Sequence, residues 1–432
     1  MENIFINPPV SEWNKILKRP AFDSSALEGT VSAVLEDVKL NGDDAVRKYT
    51  EKFNGTALAN LKVTDAEIEQ AVLLVSSDLK KAIQLAQKNI TLFHEAQHEH
   101  SRQIETTAGV LCWRKSVPIQ KVGLYIPGGT APLFSTLLML GIPAVLAGCK
   151  EIIVCTPAGI NGEVNPVILY VAQLIGIKNI YKIGGIQAIA AMAYGTETIS
   201  RVYKIFGPGN QYVTCAKTLV SKEGIAIDIP AGPSEVAIYA DETCNPSFVA
   251  SDLLSQAEHG ADSMVILVAT STKVVDDVTI EINEQIESLS RREIVKKALQ
   301  FSRFIVMAEV DAAFNLLNEY APEHLIIASD NAAGLSGKVV NAGSVFLGHY
   351  SPESVGDYAS GTNHTLPTNG YAKAYSGVSV DSFIRKITFQ QLTKEGIRNI
   401  GKSVELMATA EGLDAHRNAV SLRLKSVGDS DE

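Results

Sequence analysis

The spacing of apolar residues changes character part-way along the chain. Between Asp65 and His100 it is helical: Leu79, Ile83, Ala86, Ile90 and Phe93 lie four and three residues apart and form one continuous stripe. Another amphipathic helix is predicted from about Leu27 to Phe53, stopped by Asn54-Gly55. Residues 1–20 read as a short helical arm around Trp13 and Leu17, ended by Pro20. Short β-branched runs then take over, at Val122–Ile126, Ile152–Cys155, Ile180–Ile183, Val202–Phe206, Ala226–Ile229, Val236–Tyr239, Met264–Val268, Phe304–Met307, Leu325–Ala328 and Ser344–Leu347. Helix-length segments such as Pro166–Leu174 and Ala188–Ala193 separate many of them. Continuous apolar strands alternating with helices predict parallel sheets covered on both faces. So many strands exceed one small sheet, which predicts two α/β lobes. From about Asp381 the pattern turns helical again, and Gly428 to Glu432 should fray. No short-period repeat or low-complexity tract appears.

Composition narrows the function classes. The chain has 432 residues, 46% of them hydrophobic, enough for more than one core. Its net charge is −10 and it lacks a long basic run, which argues against nucleic acid or an anionic membrane as partner. The five cysteines, Cys112, Cys149, Cys155, Cys215 and Cys244, form no CxxC pair, so a reduced, cytoplasmic setting is expected. The N-terminus lacks the basic and apolar regions of a signal peptide. The most apolar stretch, Leu133 to Gly148, is broken by Pro143 and is shorter than the ~20 residues a membrane span needs.

Three glycine turns follow predicted strands: 125–129, 183–187 and 206–210. Glycine lets a ligand approach the backbone, and a following helix N-terminus favours phosphate. Tyr125, Gln187 and Asn210 sit at these turns and are candidate ligand contacts. None of the turns is GxGxxG, Tyr212 taking the third position after Gly207-x-Gly209, and there is no P-loop. Ordinary βα turns would look much the same.

The titratable residues gather in a few places. Leu253 to Gly260 reads as the end of a helix stopped by a left-handed Gly260. Gln256 and His259, three apart, would then emerge on one face, and an amide oxygen with an imidazole nitrogen suits zinc. A helix end with a dipole-stabilised histidine fits the same residues. Glu323-His324 just before a strand is a candidate acid/base pair. Asp357, in a polar glycine-rich stretch, is a hard oxygen donor or a turn residue. Glu411, Asp414 and His416 open a final helix, while His349 and His364 read as loop residues. Cys112 and Cys149 lack an adjacent activating base and read as structural. His94-Glu95-Ala96-Gln97-His98 matches the zinc-protease HExxH, but no third histidine or completing glutamate follows at a fitting distance.

The segments 122–129, 204–210, 229–235, 253–260, 321–324 and 411–416 resemble histidinol dehydrogenase, in the family's order and over nearly the whole chain. The resemblance implies an α/β fold of two incomplete Rossmann-like lobes with parallel sheets, small N- and C-terminal helical segments, and an intertwined homodimer. By that likeness residues 1–20 are an arm, 21–124 with 233–380 the lobe of the metal and catalytic residues, and 125–232 the nucleotide lobe. Residues 381–432 would reach the partner subunit. The implied reaction oxidises L-histidinol through L-histidinal to L-histidine, the last step of histidine biosynthesis, reducing two NAD+. One zinc per subunit would be held by Gln256, His259, Asp357 and His416. Substrate contacts would be Ser234, Gln256, His259, His324, Asp357, Glu411 and His416, with the last two supplied to the partner's site. NAD+ would lie near Tyr125, Gln187 and Asn210. His324 would take the hydroxyl proton in the first step, and Glu323 would activate water in the second. A zinc hydrolase using the HExxH match and a non-catalytic metabolite-binding protein are the competing readings.

Overall fold

The computed structural model describes residues 3–20, 25–99, 101–128, 133–229 and 232–428. His100, Gly129, Pro230, Ala231 and the expected frayed tail 429–432 lie outside the described residues, as do 1–2, 21–24 and 130–132. The described strands are β1 (Ile4–Ile6), β2 (Ile104–Thr107), β3 (Val110–Pro118), β4 (Lys121–Tyr125), β5 (Glu151–Cys155), β6 (Asn179–Tyr181), β7 (Lys204–Phe206), β8 (Ala226–Ile227), β9 (Glu235–Ala240), β10 (Met264–Ala269), β11 (Arg303–Val306), β12 (His324–Ala328), β13 (Ser344–Leu347) and β14 (Ile384–Leu392). Each β-branched run singled out in the sequence lies on one of β4 to β13.

These strands build two parallel sheets, in the orders β6-β5-β4-β7-β8 and β1-β11-β10-β9-β12-β13. From β4 in the first sheet and from β9 in the second, the chain starts centrally, steps outward twice, then returns to the other side of that central strand, with β1 added at the edge of the second. The five strands common to both follow the 3-2-1-4-5 order of a doubly wound fold. Burial explains the sequence pattern. β9 and β10 are buried at every position, so they read as unbroken apolar runs.

The helices between Ser25 and Glu95 cover the five-stranded sheet. Val31, Val34 and Val38 pack with Ile153, Ile183 and Ile205, and Ile83 and Ile90 pack with Leu124 and Val154. They therefore do not belong with the six-stranded sheet, where the boundaries 21–124 and 233–380 grouped them. Periodicity reveals that a helix has an apolar face, not which sheet receives it. Two further differences are local. The helix Ser25–Asn54 is kinked at Gly42, where φ is 51°. The stretch from Asp65 is two helices, Asp65–Leu74 and Ser77–Glu95, because the Ser76 hydroxyl caps a new start at Leu79 N–H.

The N-terminal arm also differs from its reading. β1 adds a parallel edge strand beside β11, and only Val10–Ile16 is helical. A three-residue strand is too short to show a period. Residues 98–118 and 384–432 form a separate compact unit. In it β14 runs antiparallel to β3 from Ile384↔Pro118 to Leu392↔Val110, and β2 pairs with β3. The helices Lys394–Ala410 and Asp414–Gly428 follow. The tail is thus a strand and then two helices. β14 escaped notice because most of its residues are exposed and no buried face marks it. No described helix is long and apolar enough to cross a membrane.

One close approach fixes a turn after β7. Gly207 has φ 127°, and a Cβ there would lie 2.1 Å from the Tyr125 carbonyl oxygen. Gly207→Ala should lower stability by about 1–3 kcal/mol. Urea unfolding checks this, and an unchanged midpoint would contradict it.

Candidate active site

The carboxyl ends of β4, β5 and β7 open on a cleft of about 680 Å³. Tyr125, Pro157, Gly185 and Asn210 line it, joined by Phe53 and Asn54 from the end of the helix Ser25–Asn54. β4 and β7 are neighbours where the winding reverses, the usual ligand position in such sheets. The Tyr125 hydroxyl accepts from Gly185 N–H at 3.1 Å. Asn210 caps the helix Gln211–Lys222, accepting from the N–H groups of Tyr212 and Val213 at 3.1 and 3.2 Å. Gln187 is fully buried behind the cleft, donates to Asn54 Oδ1 at 3.3 Å, and leaves its own oxygen without a partner. Side chains brace the third glycine turn. Gly207 N–H donates to Asp228 at 2.7 Å, and Lys217, ion-paired with Asp228, donates to the Gly207 carbonyl at 2.8 Å.

A second constellation forms at the opposite, amino end of the six-stranded sheet. His324 is the first residue of β12, and Glu235 the first of β9. The Glu235 N–H donates to Glu323 Oε2 at 3.0 Å, and its carbonyl lies 3.3 Å from His324 Nδ1. Ser234, half-buried, immediately precedes it. Gln256 lies in the last turn of the helix Pro246–Ala257, fully buried, and His259 follows just past the cap. The short helix Glu353–Tyr358 places Glu353 and Asp357 four residues apart, on one face. Candidate ligand atoms of His259, Glu353 and Asp357 all lie within 4.8 Å of one another. Oriented to satisfy its neighbours, the Gln256 amide nitrogen donates to both oxygens of Glu353, at 3.0 Å to Oε2. His324 Nε2 sits 3.6 Å from Asp357 Oδ1, beyond hydrogen-bond length, and has no hydrogen-bond partner.

The electrostatics follow from burying acids together. Burial pushes Glu323 up to about 7 and Glu353 up to about 8, with the positive charge of His324 opposing both shifts. Burial alone would lower His324, but Glu353, Glu323 and Asp357 together raise it to about 10. Burial also works against the charge on Asp357. The contact with His324 and the nearby His364 and His259 outweigh that and hold it below the ordinary carboxylate range. Desolvation keeps His259 below the ordinary imidazole range, so a ring lone pair is available near neutral pH.

A family model described as histidinol dehydrogenase matches residues 17–424. This chain belongs to the histidinol dehydrogenase family. The family is one of NAD-dependent oxidoreductases. A histidinol dehydrogenase of Bacteroides fragilis is 58% identical over 420 residues, covering 97% of this chain and 98% of the relative. One from Mannheimia succiniciproducens is 49% identical over 419 residues, covering 96% and 97%. The crystal structure of histidinol dehydrogenase from Elizabethkingia anophelis superposes with a TM-score of 0.97 at 56% identity, covering 99% of this chain and 98% of that one.

Membership in this family puts the expected residues in context. Gln256, His259, Asp357, Glu323 and His324 converge at the amino end of one sheet. Glu411 and His416 belong to the separate unit, exposed at the start of its last helix and the turn before it. The stop after Gln256 differs from its reading. Gly260 is not left-handed, and the chain instead turns so that Ser263 N–H donates to the Gly260 carbonyl at 3.1 Å. Glu353, Phe53 and Asn54 carry no functional signal in the sequence, where Asn54-Gly55 marks only a helix stop. His364, a plain loop residue by its sequence pattern, has Nδ1 2.9 Å from the Asp357 carbonyl and Nε2 3.2 Å from the Thr136 hydroxyl. It braces the segment that carries Asp357. The HExxH match has no metal geometry. His94 is buried with Nδ1 2.9 Å from the Ile90 carbonyl, and its helix ends at Glu95, short of the exposed His98.

Arg19 anchors the start of β9. Its guanidinium bonds both carboxylate oxygens of buried Glu235 at 2.6–3.1 Å, donates to the Tyr320 carbonyl at 2.7 Å, and lies 3.9 Å from the Tyr320 ring centroid. Arg19→Met would strand a buried carboxylate beside the backbone that holds Glu323 and His324. We predict a stability loss of about 3–5 kcal/mol in urea unfolding. A loss under about 1 kcal/mol, the range of an exposed pair, would contradict this account of the anchor.

Proposed function

We propose that this chain oxidises L-histidinol through L-histidinal to L-histidine, reducing two NAD+ in succession, as the last step of histidine biosynthesis. The observation carrying this reading is the juxtaposition of a buried acid/base pair, Glu323 and His324, with converging nitrogen and oxygen donors in a chain of this family.

The donors fit zinc. A neutral imidazole (His259), an ionised carboxylate (Asp357) and an amide oxygen (Gln256) are suitable ligands, and donor atoms around tetrahedral zinc stand about 3.4 Å apart. Ligand atoms of His259 and Asp357 already lie within 4.8 Å of each other, and Gln256 adjoins them through its bond to Glu353. In this reading His416 of a second copy completes the ligands, and Glu411 of that copy contacts substrate, in a homodimer. When bound, zinc supplies positive charge and a template for the substrate's imidazole and amino nitrogens. NAD+ takes the cleft near Tyr125, Asn210 and the buried Gln187, where Phe53 and Asn54 form the wall.

The chain's own groups then divide the proton work. His324 Nε2, free of a hydrogen bond, would take the hydroxyl proton of the alcohol once the charge of bound zinc has displaced the proton that the surrounding carboxylates otherwise hold on the ring. Glu323, pushed up to about 7, takes a proton from the water that attacks the aldehyde. The Glu235 N–H and carbonyl hold both side chains in place. Ser234, Gln256, His259, His324 and Asp357 surround the substrate.

Two outcomes test this. His324→Ala should slow oxidation of L-histidinol by about 10²–10⁴-fold, while Glu323→Gln spares that step and slows oxidation of L-histidinal by a similar factor. NADH absorbance with each substrate supplied separately measures both. Equal losses in the two half-reactions would refute the division. Mixing inactive His416→Ala chains with inactive His259→Ala chains should restore activity, since hybrid dimers keep one intact site. No recovery after demonstrated subunit exchange would rule out sharing.

A further inference from the structure

The Gln256 amide has two chemically different ends, of which only the oxygen has a lone pair for a cation. We propose that Glu353 is the positioning residue that decides which end faces the zinc, holding the Gln256 nitrogen so that the oxygen is left for the metal. This inference rests on the zinc reading above.

Gln256 is 0% and Glu353 1% exposed, so water cannot satisfy the amide N–H groups. Buried donors must find acceptors within the protein. Glu353 offers both carboxylate oxygens to the same nitrogen. Turning the amide over would press its oxygen against that carboxylate and aim N–H groups at the cation. Both penalties disfavour the turned amide, so its two orientations become one. Asp357 stands on the same face of the same short helix, four residues on. One helical turn therefore supplies both a metal-binding carboxylate and the clamp on a second ligand. Such outer partners orient ligands that would otherwise rotate. Glu353 also lies within the 4.8 Å cluster, so direct coordination by Glu353 is the competing arrangement.

A double-mutant cycle on the zinc-loaded chain separates the two. Zinc affinity is read by competition with a chromophoric chelator of known affinity. Glu353→Met removes the acceptor and fills the space with an apolar chain. It should weaken zinc binding by about 10–100-fold. Glu353→Gln keeps an oxygen for the amide to donate to and should stay within about fivefold of the parent. With Gln256→Ala already present there is no amide to hold, so adding Glu353→Met should change affinity by less than about threefold. An undiminished loss in the Gln256→Ala background would overturn the proposal and make Glu353 a ligand. So would parent-like affinity of folded Glu353→Met, or a Glu353→Gln loss as large as that of Glu353→Met. If Glu353→Met fails to fold, the comparison of Glu353→Gln with and without Gln256→Ala decides the same question at smaller amplitude. Parent chain that takes up no zinc would instead defeat the zinc reading itself.

Discussion

Too many acids share one buried corner. Glu235, Glu323, Glu353 and Asp357 crowd the amino end of the six-stranded sheet. Moving an ion out of water costs several kcal/mol even after relaxation, so each carboxylate needs a partner or a proton. Glu235 has Arg19. The other three share the single imidazolium of His324, and two of them are pushed up to about 7 and about 8. Asp252, one turn before Gln256, is likewise pushed up to about 7 by burial. A divalent cation beside His259 and Asp357 would relieve this shortage of positive charge. The same shortage keeps His324 basic and lets Glu323 gain and lose protons near neutrality.

The two sheets share a winding order but present opposite ends. In the five-stranded sheet the carboxyl ends carry the cleft, as the crevice rule for such sheets expects. In the six-stranded sheet the acid cluster sits at the amino ends, where helix C-termini and strand starts meet. At its carboxyl ends Asp241 accepts from Ser329 and Thr243 at 2.6 and 3.0 Å, so the polar groups there bond to one another. Glu235 serves the amino end twice over. Its side chain is tied down by Arg19, and its backbone holds the two residues proposed to move protons.

What the sequence revealed was what leaves a periodic or chemical mark. β9 and β10 showed because strands buried at every position read as apolar runs, whereas the half-exposed β8 and β13 showed by short apolar runs alone. Gln256, His259, Glu323 and His324 stood out as polar residues at the ends of apolar runs, and Asp357 as a hard oxygen donor in a polar, glycine-rich stretch. β1 is too short for a period, and β14 has no buried face to mark it. The destination of the helices between Ser25 and Glu95 is a tertiary choice that an apolar stripe does not record. Glu353 was invisible for a similar reason. An acid in a short polar segment resembles a surface residue until folding seals it against Gln256. Gly260 shows the reverse error, a glycine after a helix that does not take up the left-handed geometry its position suggested.

Isothermal titration of zinc-free protein with zinc at pH 7, in buffers of different ionisation enthalpy, tests the charge argument most directly. If the cation answers a shortage of positive charge among buried acids, its binding must displace protons, about one or more per zinc. Heat that shifts with the buffer in proportion to that release is the predicted result. Tight zinc binding with the same heat in every buffer would contradict the account.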